Sequence, residues 1–364
     1  MMRIFHMVSA PAAGGAEVYV KDLAKALVKL GHSVVVGFLG HAEEIGRSVE
    51  YEREFLGELD EAGVKWFFIG NECRRKPWLG VYKVREIVKS EGIDIFHSHL
   101  PFGVFFSCGI GIPTIYTHHT IKPRLNWLTY RLFNCLISRY VGISEVCAER
   151  LASYSGRKVT PILNGVDFQK FPKRQKPLPV DSEILRALVV GRIHPHKGYY
   201  FLGKVMQSLP EQVRERIRVR IAGEGDPDYT QKLKNFLLEA GVSDNFEFLG
   251  NRSDVPQLLN ESDLFLMSSE QEGLPISLIE ATIAGLPCII TDVGGCAEII
   301  EMCGNGAAIR YDDVEGYARL LQELVEKPDR LRILSDNGKK NLSSLDIEVA
   351  AEQHLELYSE LLLG

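Results

Sequence analysis

The sequence predicts an α/β protein built from two doubly wound domains, each a parallel sheet with helices on both faces. Three observations predict it. The chain has 364 residues, room for about two domains of ordinary size. Short apolar, β-branched runs alternate with helix-period segments along its whole length, the signature of repeated β–α units. One proline-rich basic interruption falls near the middle, and the alternation restarts after it.

The elements follow in order. Arg3–Val8, Ser33–Leu39, Val64–Ile69, Asp94–His97 and Thr114–Thr117 read as strands. Between the first two, Ala16–Leu30 carries Val20, Leu23, Ala24, Leu27 and Val28 on one helical face, with Gly31 as its stop. Leu100–Thr117 lacks charge and approaches membrane-spanning length. Pro101, Gly103, Gly109, Gly111 and Pro113 interrupt it, so it reads as a short buried helix plus a strand. Pro172, Pro177 and Pro179 alternate with Lys173, Arg174 and Lys176 in an interdomain linker. Ala187–Val190, Val219–Ala222, Asn245–Leu249, Leu264–Met267 and Cys288–Thr291 are the strands of the second half. Asp346–Leu363 is an amphipathic helix with Val349, Leu355, Leu357, Tyr358, Leu361 and Leu362 on its apolar side. The domains are thus 1–172 and 185–344, joined by a linker at 173–184, with a terminal helix at 345–364.

Composition narrows the class. With 45% hydrophobic and 25% charged residues the chain is globular, not disordered, collagenous or coiled-coil. The seven cysteines contain no CxxC pair, which argues against a disulfide framework and a zinc site and fits a reducing, cytoplasmic setting. The opening MMRIFHMVSA reads as a strand, not a signal peptide. The net charge of −6 hides an asymmetry: residues 1–178 carry 24 basic and 17 acidic side chains, while 179–364 carry 18 and 31. Within 97–176 the count is 11 basic to 3 acidic. Two readings fit, a surface for an anionic ligand or lipid headgroups and plain solvated faces of unequal sign.

In doubly wound sheets ligands sit at the carboxyl ends of the strands, so the loops there carry the chemistry. Pro11–Glu17 places Gly14 and Gly15 between a strand and a helix, where backbone can approach an anion; the spacing is not the GxGxxG dinucleotide fingerprint. After the first strand of the second half come Gly191, Arg192, Lys197 and Gly198. Two cations leaving one strand end can neutralise a diphosphate without a metal. Gly198–Lys204 matches GxxxxGK, but Val205 stands where a hydroxyl should be and the interior is bulky, so it is not a phosphate loop. Asp226-Pro-Asp228 follows Gly223-Glu-Gly225 and reads as an exposed turn, not a metal pair. In the stretch Ser268–Pro287, Pro275 suits a first helical turn, Glu272 lies in the loop ahead of it and Glu280 lies within the helix. Free backbone N–H groups plus two carboxylates suit a ligand with a phosphate and two sets of hydroxyls.

The spacing Glu272-x₇-Glu280, with Arg192 and Lys197 before it and Val293-Gly-Gly295-x-x-Glu298 after it, resembles glycosyltransferase family four, retaining enzymes of the GT-B fold. Gly14-Gly15, Asp94-x-x-His97-x-His99, Thr117-x-His119, Ser144 and Asn164-Gly-Val-Asp167 appear in the family's order, so the resemblance covers nearly the whole chain. His118, next to the expected His119, departs from the pattern.

The resemblance implies two Rossmann-like domains facing across a cleft, the second holding a nucleotide-diphosphate sugar and the first its acceptor. Arg192 and Lys197 would grip the diphosphate beside Gly191 and Gly223. Glu272 would bind hydroxyls of the donor sugar, with the backbone of Gly273 and Leu274 near the distal phosphate. Glu280 would bind the ribose, and Leu249, Gly250, Asn251 and Arg252 would lie near the base. Gly14 and Gly15 would approach the phosphate from the first domain. His119 would lie near the reactive face of the sugar, its default role substrate contact or structural support and a general base the lesser option. The expected activity is a retaining, metal-independent, hexosyltransferase-type transfer to a saccharide or lipid-linked saccharide, in cell-surface polysaccharide or glycolipid assembly. No cofactor and no metal are implied, and no nucleic acid. The terminal helix would pack back on the first domain, with closure hinging near 171–183 and 340–346. Cations and aromatics in Lys122–Phe133 suggest peripheral contact with an anionic membrane at its inner face. Two rival readings share the nucleotide site: a GT-B sugar-nucleotide epimerase, and a non-catalytic sugar-nucleotide-binding partner.

Overall fold

The computed structural model describes residues 1–123, 125–171 and 184–363. The predicted linker, 173–184, lies outside them except for its last residue. The chain divides into two compact units, Met1–Asp167 with Ser344–Gly364, and Phe168–Ser343.

The first unit is a seven-stranded sheet: β1 (Arg3–Val8), β2 (Ser33–Phe38), β3 (Lys65–Phe68), β4 (Ile95–Ser98), β5 (Thr114–His118), β6 (Arg139–Gly142) and β7 (Val159–Pro161), in the order β3-β2-β1-β4-β5-β6-β7. All its pairings are parallel. Successive side chains alternate between faces. Phe5, Met7, Val35 and Phe96 therefore share a core with Val84 and Val88 of the helix Pro77–Glu91. Tyr116 and Tyr140 pack with Tyr130, Phe133 and Leu151 in a second cluster. The helix predicted over Ala16–Leu30 runs Gly15–Lys29 and ends ahead of Gly31 at a φ of 86°.

The second unit has six strands, β8 (Leu185–Val190), β9 (Ile217–Ala222), β10 (Phe246–Gly250), β11 (Leu264–Met267), β12 (Cys288–Thr291) and β13 (Gly306–Ile309), ordered β10-β9-β8-β11-β12-β13 and again all parallel. Both sheets reverse their strand order once, at β1/β4 and at β8/β11.

Three strands escape the sequence reading: β6, β7 and β13. Each is three or four residues long, and they carry Gly142, Pro161 and the run Gly306-Ala-Ala. Their pairing partners β5 and β12 define them more than their own composition does.

The first unit closes at Asp167, five residues before the predicted boundary of 172. The chain leaves it where it later returns. Val166 N donates to Leu345 O at 2.9 Å and Ile347 N donates to Val166 O at 3.1 Å, so the departing and returning segments bridge. The terminal helix, Ile347–Leu363, packs on the helix Gly15–Lys29. There His354 Nε2 meets Tyr19 OH at 3.0 Å, and Lys29 pairs with Glu348 at the surface. Deeper in, Tyr358 OH meets His97 Nδ1 of β4 at 2.6 Å.

Both partners of that last bond are fully buried. Tyr358→Phe strands the His97 nitrogen and is expected to cost about 1–3 kcal/mol. All three tryptophans, Trp66, Trp78 and Trp127, lie in the first unit, so urea unfolding followed by tryptophan fluorescence reads this unit. An unchanged midpoint would show that the hydroxyl does not anchor the helix.

Candidate active site

In the second unit the loops after β8 and β11 meet at the switch point, where open α/β sheets take their ligands. The segment Pro195–Lys197 forms a single helical turn and stops at Gly198, whose φ is 67°. A Cβ at Gly198 would lie 1.7 Å from Ser268 O, so only glycine lets the two loops touch backbone to backbone. Ser268 Oγ then donates to Lys197 O at 2.9 Å, and Glu270 N donates to His196 O at 2.8 Å.

These bonds bring the predicted cation and carboxylate together. Lys197 Nζ donates to Glu272 Oε1 at 2.6 Å, and Ser269 Oγ donates to the same oxygen at 2.7 Å. The pair is largely sheltered, with 27% of the Lys197 side chain and 13% of that of Glu272 exposed, so solvent screens it less than a surface pair. Arg192 differs. It is exposed and makes no hydrogen bond or ion pair among the described residues, so its guanidinium is an open cation beside the loop.

The carboxylate loop is braced from the far side. Gly294 adopts a φ of 59°, and a Cβ there would lie 2.4 Å from Glu272 O. Gly295 N donates to Gly273 O at 2.7 Å, and Thr291 Oγ1 of β12 donates to Ser269 O at 2.6 Å. The helix Ile276–Ile283 follows, with Glu280 half-buried within it and Gly273 and Leu274 buried ahead of it. Pro275 stands just outside that helix, at its N-cap with a ψ of 127°, not in the first turn as the sequence predicts. The reason is local: the cap position takes the extended conformation that a proline accepts.

The other predicted positions sort as follows. Gly191 directly follows β8, and its carbonyl accepts from Tyr199 OH at 2.8 Å. Gly223 N donates to Gly250 O at 2.8 Å, tying the ends of β9 and β10. Leu249 and Gly250 close β10; Asn251 is exposed, and Arg252 is paired with Asp254, its Nε 2.7 Å from Oδ1. Arg252 is thus not an open cation like Arg192. Asp226 caps the helix Pro227–Glu239 by accepting from Tyr229 N at 2.9 Å. Gly203 and Lys204 lie inside the helix Tyr199–Ser208, so no phosphate loop exists there.

In the first unit Gly14 caps the helix Gly15–Lys29, and Glu17 of its first turn bonds Ser9. Ser144 is likewise a cap, accepting from Cys147 N at 3.2 Å. The adjacent histidines part ways. His118 is buried between the hydroxyls of Tyr116 and Thr120, at 3.0 and 3.4 Å. His119 Nε2 instead meets His99 Nδ1 at 2.9 Å.

That contact belongs to a buried network which sequence reasoning missed. His6 lies in register beside His97 across β1 and β4, and His6 Nδ1 meets His99 Nε2 at 3.0 Å. His97 uses both ring nitrogens, on Tyr358 OH and on Thr117 Oγ1 at 2.7 Å. Nitrogens of His6, His97 and His99 lie within 4.8 Å of one another. Yet His97 is committed to two hydroxyls and stacks on His99 at 4.2 Å, an arrangement suited to hydrogen bonding more than to a shared ion. The signal was available, since parallel strands in register set His6 against His97, but register is invisible in one strand alone.

The fold and this site together define the class. A solved structure of Anabaena HepE in complex with UDP-glucose superimposes with a TM-score of 0.83 at 21% identity, over 99% of this chain and all of that one; the fold is GT-B. Residues 13–170 match the family model described as Glycosyltransferase Family 4, and residues 170–341 the model described as Glycosyl transferases group 1. The chain belongs to this glycosyltransferase family. It is 25% identical to the UDP-Gal:alpha-D-GlcNAc-diphosphoundecaprenol alpha-1,3-galactosyltransferase of Escherichia coli, over 84% of this chain and 86% of that one. It is 27% identical to the phosphatidylinositol N-acetylglucosaminyltransferase GPI3 subunit of Saccharomyces cerevisiae, over 80% and 67%.

The buried imidazoles carry a pH signature. Burial lowers His6 and His354 to about 3, and it lowers His97 and His99 well below the ordinary value, with neighbouring imidazoles adding to the effect. The unfolded chain takes up protons near pH 6.5 and the folded unit does not. Stability is therefore full above about pH 6.5 and falls as pH drops toward 3, by up to ~1.4 kcal/mol per pH unit for each histidine. Urea midpoints of tryptophan fluorescence at pH 7.5 and 5.5 check this; equal midpoints would mean that the histidines are not held neutral.

Proposed function

We propose that this glycosyltransferase is a retaining, metal-independent enzyme of the hexosyltransferase type. It moves a sugar from a nucleoside-diphosphate sugar to a saccharide or lipid-linked saccharide acceptor in the assembly of cell-surface polysaccharide or glycolipid. The observation that carries the reading is the convergence, at the β8/β11 switch point, of Lys197 held by Glu272 with the open Arg192. The names of the Escherichia coli and yeast relatives, one using UDP-galactose and both directed at lipid-borne acceptors, support the substrate class.

The chemistry follows from charge. The bond between the anomeric carbon and the diphosphate oxygen breaks, and its electron pair goes to that oxygen. Arg192 and Lys197 neutralise the growing charge, the guanidinium by its planar fork and the ammonium as a point charge. Glu272 accepts hydrogen bonds from sugar hydroxyls and Glu280 from the ribose. The base lies against Leu249–Arg252. The acceptor hydroxyl bonds to the anomeric carbon on the face the leaving group vacates, and its proton passes to the departing phosphate oxygen. Two fixed side-chain cations supply the positive charge that a divalent ion supplies in other transferases.

A thermal-shift screen against UDP, GDP, ADP, CMP and their sugars, with EDTA present, tests the donor site. One nucleotide at a hundredfold its Kd stabilises by about 2.7 kcal/mol. Lys197→Ala is expected to abolish the shift and to lower turnover about 10²–10³-fold. A folded protein that responds to no nucleotide, or only once a divalent ion is restored, overturns this account.

No helix among the described residues is long and apolar enough to cross a membrane. The short helix Trp127–Phe133 instead exposes Trp127, Leu128 and Leu132 beside Arg131. We propose that this face rests on an anionic membrane at the cytoplasmic side. The protein should float with vesicles containing anionic lipid, and Trp127→Ala/Leu132→Ala should remain in the pellet fraction; flotation indifferent to lipid charge refutes the contact.

A further inference from the structure

Glu272 uses its two carboxylate oxygens differently. Lys197 Nζ and Ser269 Oγ both donate to Oε1, at 2.6 and 2.7 Å. Oε2 makes no hydrogen bond or ion pair among the described residues. Ser269 is buried, and Thr291 Oγ1 of β12 donates to its carbonyl at 2.6 Å, so the hydroxyl that grips Oε1 is itself held. One oxygen is committed to the protein, and the other is left for a ligand.

Lys197 does not depend on Glu272 for its place. Its amide donates to His194 O at 2.9 Å, and its carbonyl accepts from Ser268 Oγ at 2.9 Å. Its stem runs along Gly191, where an added Cβ would lie 3.4 Å from Cε and 3.5 Å from Nζ. Backbone and stem thus set the position of the ammonium. The carboxylate, sheltered with it, alters its charge balance instead.

That balance separates two ligands which share a nucleotide and a diphosphate. In a nucleoside-diphosphate sugar the distal phosphate is a diester, with a single ionisable oxygen. After transfer that phosphate is a monoester, whose second ionisation near pH ~6 adds about one negative charge at neutral pH. The spent nucleotide has also lost the sugar hydroxyls. It therefore brings more negative charge toward Glu272 and nothing that can donate to Oε2. Both differences act in the same direction.

We infer that Glu272 makes this site prefer the loaded sugar nucleotide to the nucleoside diphosphate left after transfer. Oε1 tempers the pull of Lys197 on the diphosphate, and Oε2 favours a ligand that carries hydroxyls. The inference rests on the donor-site reading given above and deepens it. The carboxylate that admits the donor also speeds the departure of the spent nucleotide, so Glu272 sets selectivity at two stages of one cycle.

The test is isothermal titration calorimetry of the full-length protein at pH 7.5 with EDTA. The probes are UDP, GDP and ADP, and UDP-glucose, UDP-galactose, GDP-mannose and ADP-glucose. Glu272→Gln keeps the shape and removes the charge. It should bind the nucleoside diphosphate about tenfold more tightly than the native protein does, while its affinity for the matching sugar nucleotide does not rise. Unchanged or weaker nucleoside diphosphate binding in a variant shown by circular dichroism to be folded overturns the inference, because Glu272 would then be needed to place Lys197. Equal tightening of both ligands overturns it as well, since the carboxylate would set no preference. Should Glu272→Gln not fold, Glu272→Ala carries the same expectation. A native protein that binds none of these nucleotides overturns the donor site and this inference with it, whereas native binding without the Glu272→Gln gain refutes this inference alone.

Discussion

Every strand in both sheets runs the same way, and the rest of the structure depends on that constraint. Parallel neighbours need a crossover between them, so helices cover the faces and all the carboxyl-end loops collect along one edge of each sheet. The order β10-β9-β8-β11-β12-β13 then reverses once, which parts the crossovers and leaves the loops after β8 and β11 side by side. Lys197 and Glu272, 75 positions apart in sequence, meet because of that reversal. In the first sheet the corresponding reversal sets β1 beside β4, and His6 and His97 meet for the same reason.

The two switch points are used differently. In the second unit the meeting groups are charged and partly exposed, and the bonds among Ser268, Ser269, Lys197 and Glu272 hold the loops ready for a ligand of matching charge. In the first unit they are imidazoles sealed by the terminal helix, where burial removes charge and leaves hydrogen bonding as the only currency. One edge therefore gathers charged side chains, while the other gathers neutral hydrogen-bonding rings.

Much of this was legible in the sequence, and what was not has physical causes. Strands such as Arg3–Val8 and Cys288–Thr291 are apolar enough to declare themselves. The run Gly306-Ala-Ala-Ile309 is not, because small residues become a strand only against β12. Arg192, Lys197 and Glu272 stood out because each is a charged residue next to a glycine in a loop after a strand, and Glu280 because it puts a second carboxylate in the helix that follows. Arg252, which only the resemblance put near the base, is occupied by Asp254, two residues on. Asp226 and Asp228, read in the sequence as a turn and not a metal pair, do lie where the backbone turns into a helix that Asp226 caps. The histidine run stayed hidden because its members come from three separate segments, and no single stretch of chain shows that they touch.

The crossing at Val166 and Leu345 bears on how the protein is made. The second unit is one continuous stretch and can fold as soon as it leaves the ribosome. The first unit begins earlier, yet Tyr358 and His354, which cover His97 and Tyr19, are synthesised only after the whole second unit. At ordinary elongation rates the open face of the first sheet waits ~10–40 s for its final helix. During that interval the buried imidazoles are exposed to water and free to titrate, so the unit that starts first is the one completed last.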